Sequence, residues 1–363
     1  MKILHVITTL ERGGAENQLL VLAREQTKLN SVSIIYLKGE PEIADDLREN
    51  GCRILEHLSN KNFIKQIFLF NQISIEEYDL IHCHLPQSEL LLGLQRKNFK
   101  YLVTRHFGGK FYPRAPKLIS TMLSRIATRK ARVIVAISNA VKNYLTESGE
   151  VSNKKIIQVV HYGYTRSRLL EAANTPKLPQ ALFNRGVKVI LVVARLSPEK
   201  NVDLVIRAFS KLIFEFDFTG LKLVVVGSGK LNDTLHNLAD ELNVSKDIIW
   251  LGRRSDVFEI MKLSTVLVLA SKFEGFGMVL LEAMDAGLPI IASNVSAIPE
   301  VVGNKGAGIL FEQGNLPDLT SKLKELILDY DLRAKVRKKG FERIKDFSAE
   351  SMSANIQHIY INS

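Results

Sequence analysis

One pattern constrains this chain more than any other. Short apolar runs alternate with helical periodicity, the alternation pauses once, and then it restarts. Ile3–Ile7 reads as a buried strand, and Glu16–Lys28 follows with Leu19, Leu20, Leu22 and Ala23 at helical spacing. Ser33–Leu37 is a second strand, and Ile43–Asn50 a helix closed by Gly51. Leu80–Cys83, Tyr101–Thr104 and Val133–Ile137 continue the strands, and Ser138 reads as the N-cap of the helix after the last of them. Parallel neighbours need a crossover connection, so strands that alternate with helices predict a parallel α/β sheet.

The pause falls at 166–186, where Pro176, Pro179 and Gly186 stand without a strand pattern. Beyond it come strands at Val187–Val193, Leu221–Val226, Asp247–Trp250, Thr265–Leu269, Leu288–Ala292 and Gly308–Phe311, with a helix over Val202–Ile213. Two helices, Leu316–Lys339 and Ala349–Ile361, end the chain. At 363 residues the chain exceeds one ordinary core. We therefore expect a doubly wound domain over 1–165, a linker over 166–186, a second such domain over 187–345, and a helical tail over 346–363 that packs back on the first. Ligands bind at the carboxyl ends of strands in such sheets, so the expected site is a central cleft that the two domains face.

Charge is distributed unequally. Residues 1–180 hold 26 Lys and Arg against 16 Asp and Glu, a surplus of 10, whereas 181–363 hold 23 against 22. Residues 96–132 contain eleven basic residues and no acidic one, with Phe99, Tyr101, Phe107, Phe111 and Tyr112 among them. That field attracts an anionic partner, whether lipid headgroups, a phosphorylated acceptor or nucleic acid; an ordinary solvated face has the same composition. The N-terminal apolar run is too short for a secretory signal, and no stretch is apolar enough to span a bilayer. Two isolated cysteines, Cys52 and Cys83, fit a reducing compartment.

Three segments carry chemistry. Glu11-Arg12-Gly13-Gly14-Ala15-Glu16 joins the first strand to its helix. Paired glycines admit close approach of a ligand, and the helix start offers N–H groups to a phosphate; a plain tight turn has the same residues. Ala194-Arg195-Leu196-Ser197-Pro198-Glu199-Lys200-Asn201 follows the first strand of the second domain. Its two cations, beside a helix start, suit a diphosphate, or are simply exposed loop charges. Glu274-Gly275-Phe276-Gly277, with Glu282 eight residues after Glu274, combines a glycine loop with two carboxylates able to accept from vicinal hydroxyls. His82 and His84 share a strand face but lack an evident third metal ligand, Asp329-Tyr330-Asp331 lies in the helical tail, and Gly227-Ser228-Gly229 reads as a strand-to-helix turn.

In order and spacing these segments resemble glycosyltransferase family 4, retaining enzymes of GT-B architecture, over the chain up to about Leu310. The resemblance implies that Arg195 and Lys200 hold the donor diphosphate and that Glu282 holds the ribose. It implies that Glu274 contacts the transferred sugar, with Gly275, Phe276 and Gly277 on its hydroxyls or the phosphates. It sets Gly13 and Gly14 against the diphosphate, Gly252 and Arg253 near the nucleobase, and His106 beside the reaction centre. Val159-Val160-His161-Tyr162-Gly163-Tyr164 departs from the family pattern, which weakens the case for an acceptor contact there.

The reading is a retaining transferase that takes a sugar from a nucleotide-sugar, a UDP-sugar foremost, to a glycan or lipid-linked acceptor in surface polysaccharide or lipopolysaccharide assembly. We expect it to need no metal or other cofactor, to lie at an anionic membrane surface on the cytoplasmic side, and to bind no nucleic acid. The competing readings are a nucleotide-sugar 2-epimerase-like enzyme and a non-catalytic sugar-nucleotide-binding protein. A dinucleotide oxidoreductase is disfavoured by the missing G-x-G-x-x-G.

Overall fold

The computed structural model describes residues 1–97, 99–153, 156–165 and 186–362. The chain divides into two compact units, Met1–Thr165 with Phe347–Ser363, and Arg166–Asp346. The stretch expected as a linker lies, except for Gly186, outside the described residues.

The first unit is built on β1 (Lys2–Ile7), β2 (Ser31–Tyr36), β3 (Arg53–Leu55), β4 (Leu80–His84), β5 (Tyr101–Arg105), β6 (Ala131–Ala136) and β7 (Ile157–Val159). Their order is β3-β2-β1-β4-β5-β6-β7, and every pairing is parallel. The C-terminal helix Ala349–Asn362 belongs to this unit. Its Met352, Ile356, Ile359 and Tyr360 share a buried cluster with Ile3, Leu22, Leu102 and Val135. Gly163 makes that packing possible, because a Cβ there would lie 2.8 Å from Ala349 Cα.

The second unit holds β8 (Lys188–Val193), β9 (Leu221–Val226), β10 (Ile248–Gly252), β11 (Val266–Leu269), β12 (Ile290–Ser293) and β13 (Ile309–Phe311), again all parallel, in the order β10-β9-β8-β11-β12-β13. Its core joins the apolar face of helix Val202–Phe216 (Val205, Phe209, Leu212) to strand residues such as Ile190 and Val225. Continuous apolar strands of this kind suit a sheet covered on both faces.

Two expectations need correction. The segment Leu316–Lys339 is not one helix: Leu316–Leu328 ends and Tyr330–Arg343 begins at Asp329, whose side chain accepts from the Leu332 N–H at 2.8 Å. Asp329 is therefore a helix cap. Within the basic stretch, Arg105, Tyr101 and Phe111 are buried. Arg105 ends β5 and is enclosed with Glu89 (2.6 Å) and Glu150 (3.5 Å), because a strand between β4 and β6 has no solvent face to offer it.

Candidate active site

In the second unit, β8 has β9 on one side and β11 on the other, so the strand order reverses there and the loops after β8 and β11 emerge side by side. The Lys272 N–H donates to Glu199 O at 2.7 Å and ties the two loops together. Gly227 and Gly229 support the first of them. A Cβ on either would lie within 1.9 Å of Ala194 O or 2.2 Å of Leu196 O, so only glycine lets that backbone pass. Asn201 turns the chain through φ +53 into helix Val202–Phe216, a conformation asparagine tolerates.

This arrangement brings Lys200 and Glu274 together. Lys200 Nζ lies 2.5 Å from Glu274 Oε1, which also accepts from Ser271 Oγ at 2.7 Å. Their side chains are 19% and 11% exposed, so the pair is held inside the edge of the sheet and still reachable. Arg195, on the same loop as Lys200, is exposed and lies 3.4 Å from Glu199, an exposed pairing that costs little to redirect. Helix Met278–Asp285 opens at Gly277, whose φ of +94 disfavours any side chain. Buried Phe276 anchors the glycine loop, and Glu282 lies one turn into the helix, part-exposed between buried Leu281 and Ala283. Gly252 (φ +61) ends β10 with open space where a Cβ would stand, and Arg253 beside it is exposed. Arg195, Lys200, Glu274, Glu282, Gly252 and Arg253 all belong to the carboxyl-end loops of this sheet or to the helix that opens there.

In the first unit the order reverses between β1 and β4. Gly13 caps helix Gly14–Gln26. The Glu16 side chain folds back over that helix start, where a Cβ on Gly13 would come within 2.4 Å of its Oε2, and Glu16 Oε1 accepts from Thr9 Oγ1 at 2.5 Å. A carboxylate thus already faces the positive end of the helix, and Gly14, with nothing within 4 Å of its missing Cβ, is the open approach.

His106 lies at the end of a buried relay that sequence reasoning missed in large part. Gln26 Oε1 meets His5 Nε2 at 2.8 Å, His5 Nδ1 meets His84 Nε2 at 2.9 Å, His84 Nδ1 meets His106 Nε2 at 3.2 Å, and His106 Nδ1 meets Tyr162 OH at 2.5 Å. Because Gln26 Oε1 only accepts, His5 Nε2 carries its proton, each following ring donates from Nε2, and the Tyr162 hydroxyl donates into His106 Nδ1. The other branch agrees: Gln26 Nε2 donates to Tyr360 OH at 3.0 Å, which meets His82 Nδ1 at 2.7 Å, and His82 Nε2 meets Thr104 Oγ1 at 2.7 Å. Burial keeps these rings neutral, with His5 lowered to about 4, His106 to about 3, and His82 and His84 well below the usual range. His5 is the third imidazole beside His82 and His84. Its signal was a lone polar residue in an apolar strand; the β1–β4 register that pairs it with His82 is a tertiary fact. Both His106 nitrogens are taken, so a substrate hydroxyl reaches it only by displacing Tyr162 or by meeting the Tyr162 oxygen.

The surface of the first unit adds a second feature. Helix Lys117–Thr128 exposes Leu118 (85%), Ile119 and Met122, and helix Phe63–Phe70 exposes Ile64 and Phe68. Both helices rest on one cluster, through Phe63 on one side and Leu123 and Ile126 on the other. Lys97, Lys100, Lys110, Arg114 and Lys117 are exposed, unlike Arg105. Among the described residues no helix is long and apolar enough to cross a membrane.

Comparison with known proteins agrees with this geometry. The model of Glycosyltransferase Family 4 matches residues 12–168, and that of glycosyl transferases group 1 matches 174–343. An uncharacterized glycosyltransferase of Methanocaldococcus jannaschii is 30% identical over 295 residues, covering 80% of this chain and 77% of that one. The Escherichia coli UDP-Gal:alpha-D-GlcNAc-diphosphoundecaprenol alpha-1,3-galactosyltransferase is 26% identical over 310 residues, 83% of this chain and 80% of the other. The structure of Anabaena HepE in complex with UDP-glucose matches with a TM-score of 0.82 at 19% identity, over 100% of both chains, a likeness of fold. With two parallel α/β units of the GT-B kind and both halves matched, the chain belongs to glycosyltransferase family 4, the group 1 glycosyl transferases, and is a glycosyltransferase.

Proposed function

We propose that the chain takes a sugar from a nucleotide-sugar, a UDP-sugar foremost, and transfers it with retention to a lipid-linked or glycan acceptor in surface polysaccharide or lipopolysaccharide assembly. The observation that carries this is the Lys200–Glu274 pair at the strand reversal of the second unit, with Arg195 on one of its loops and Glu282 on the helix the other loop opens. Arg195 and Lys200 neutralise the departing diphosphate, the electrostatic work a divalent metal does in other transferases, so no metal is required. Lys200 has three donors and spends one on Glu274, which leaves it able to hold carboxylate and phosphate together. Glu274 accepts from hydroxyls of the transferred sugar, Glu282 from the ribose, and the loop Gly275–Gly277 and Gly13-Gly14 approach the phosphates. Gly252 and Arg253 flank the base. The departing phosphate takes the acceptor proton on the face it leaves.

A UDP donor is supported by the UDP-glucose on the HepE structure and by the UDP-galactose in the name of the Escherichia coli relative, whose acceptor is lipid-linked. The exposed apolar residues of helices Phe63–Phe70 and Lys117–Thr128, beside the exposed lysines, support a first unit that lies on an anionic membrane surface on the cytoplasmic side. Calorimetric binding and hydrolysis of a nucleotide-sugar panel, with and without chelator, test the donor reading. Slow, chelator-insensitive release of nucleoside diphosphate from one donor, weakened in Glu282→Ala, is expected. A strict need for a divalent metal, or no binding at all, sinks it.

A further inference from the structure

Ser296 stands in the loop after β12 with φ +46, the left-handed region that L residues with a Cβ avoid. Glycine meets that conformation at no steric cost, so the serine needs a reason. Its hydroxyl supplies one: Ser296 Oγ accepts from the Glu274 backbone N–H at 2.9 Å. The next residue meets the carbonyl of the same residue, with Ala297 N 3.5 Å from Glu274 O. The carboxylate of Glu274 is held separately, by Ser271 Oγ at 2.7 Å and Lys200 Nζ at 2.5 Å. Ser271 is fixed in turn, since buried Ser293, also from the end of β12, donates to Ser271 O at 2.6 Å. The strand neighbouring β11 thus grips the glycine loop at its first residue.

From this geometry we infer that Ser296 is a positioning residue for the donor sugar, one that sets Glu274 at the price of a left-handed backbone. The inference rests on the reading that Glu274 meets the transferred sugar. Strained backbone persists where the surroundings over-determine it, and here the determining bond runs to the loop that carries the sugar-facing carboxylate. The bond reaches the loop at Glu274 itself, ahead of the glycines and of the helix that carries Glu282, so its effect falls on the sugar rather than on the nucleotide.

Two variants separate the hydroxyl from the strain. Ser296→Ala keeps the left-handed turn and loses the acceptor, while Ser296→Gly loses both. Ser296→Gly is expected to melt about 2–4 °C above Ser296→Ala, as relief of backbone strain in a unit of this size implies. Titration of both variants and wild type with UDP, UDP-glucose, UDP-galactose and UDP-N-acetylglucosamine is the decisive measurement. For the preferred sugar donor both variants bind roughly three- to tenfold more weakly than wild type, the range for one lost hydrogen bond, while UDP alone binds unchanged. Sugar-donor affinity equal to wild type in both variants overturns the inference, as does an equal loss for UDP and UDP-sugar, which marks a general collapse of the loop. Failure of wild type to bind any nucleotide-sugar is a different result: it removes the donor reading beneath the inference.

Discussion

The two units solve one topological problem with opposite chemistry. Each is a parallel sheet whose strand order reverses beside its first strand, between β1 and β4 in one and between β8 and β11 in the other. In the second unit that point holds a formal ion pair, Lys200 with Glu274, at the edge of solvent. In the first it holds four contacting histidines, three of them wholly enclosed and all neutral, running from Gln26 to Tyr162. The first unit is basic on its surface and uncharged along this relay; the second is balanced overall and charged at its site. Charge placed where a diphosphate departs contributes to the transition state, whereas neutral rings with every nitrogen assigned contribute shape and fixed dipoles. The difference supports the proposed function in one particular, with donor activation in the second unit and orientation in the first.

The sharpest way to break that assignment is to remove the charge. Lys200→Ala strips one cation from the leaving group and leaves the part-buried Glu274 without its partner. Transfer is expected to fall by about 10²–10³, the cost of losing one preorganised electrostatic contact. Lys200→Ala with Glu274→Ala is expected to lose less than the sum of the two singles, because the residues touch. Strictly additive losses in the double-mutant cycle mean that the two act independently, and the pair then has no joint role.

A smaller effect is expected at the relay. Tyr162→Phe removes the proton that His106 Nδ1 accepts. If the first unit orients rather than activates, turnover falls by roughly two- to tenfold, the worth of one hydrogen bond, and nucleotide-sugar affinity holds. A loss as large as that of Lys200→Ala moves His106 into the chemistry itself.

How much of this was legible in the sequence depends on whether the signal was local. Ser138 was readable as a cap because its hydroxyl meets the Val141 N–H three residues on. Asp329 was missed because Leu332 and Val336 carry helical spacing across the break. β3 and β7 were missed because three-residue strands at the sheet edges, partly exposed, have no apolar run to show. In the site, Lys200 and Glu274 were singled out separately, but their contact spans 74 positions and depends on β8 lying beside β11. His5, Gln26, Tyr162 and Tyr360 belong to no motif. They meet only through strand register and through the return of the last helix to the first unit, neither of which a single sequence states.

Acid should separate the units next. His5 and His106 are held well below the usual histidine range, to about 4 and about 3, by burial. A lowered folded value means that the unfolded chain takes the proton first. Their contribution to stability is therefore present above about 6.5 and lost as pH falls toward 4. His236 is the one histidine among residues 186–346, and it is part-exposed, stacked on Trp250 at 4.2 Å. Trp250 is the only tryptophan, so its emission maximum reports the second unit alone. Between pH 6.5 and 4 far-ultraviolet circular dichroism is expected to lose amplitude before that maximum shifts. Simultaneous change in both probes shows that the histidines do not set the first unit's acid limit.

The smallest expected effect has the opposite sign within the same unit. Arg105 is shared by two buried carboxylates, and Glu150 has the better-furnished site, accepting from the Phe111 N–H at 2.9 Å. Glu89, in close but oblique contact with Arg105, is pushed up to about 7 by burial, against the pull of Arg105. For a raised carboxylate the stabilising contribution is full below its unfolded value near 4.5 and is lost as pH rises through about 7. Glu89→Gln keeps the shape and removes the titration. The melting temperature of the variant minus that of wild type is expected to be constant below pH 4.5 and to grow more positive up to about pH 8, by a few degrees at most. The histidines are common to both proteins and cancel in that difference. A difference flat across the range shows that Glu89 stays ionised beside Arg105, so that two buried carboxylates share one guanidinium and the neutrality of the first unit is confined to its histidine relay.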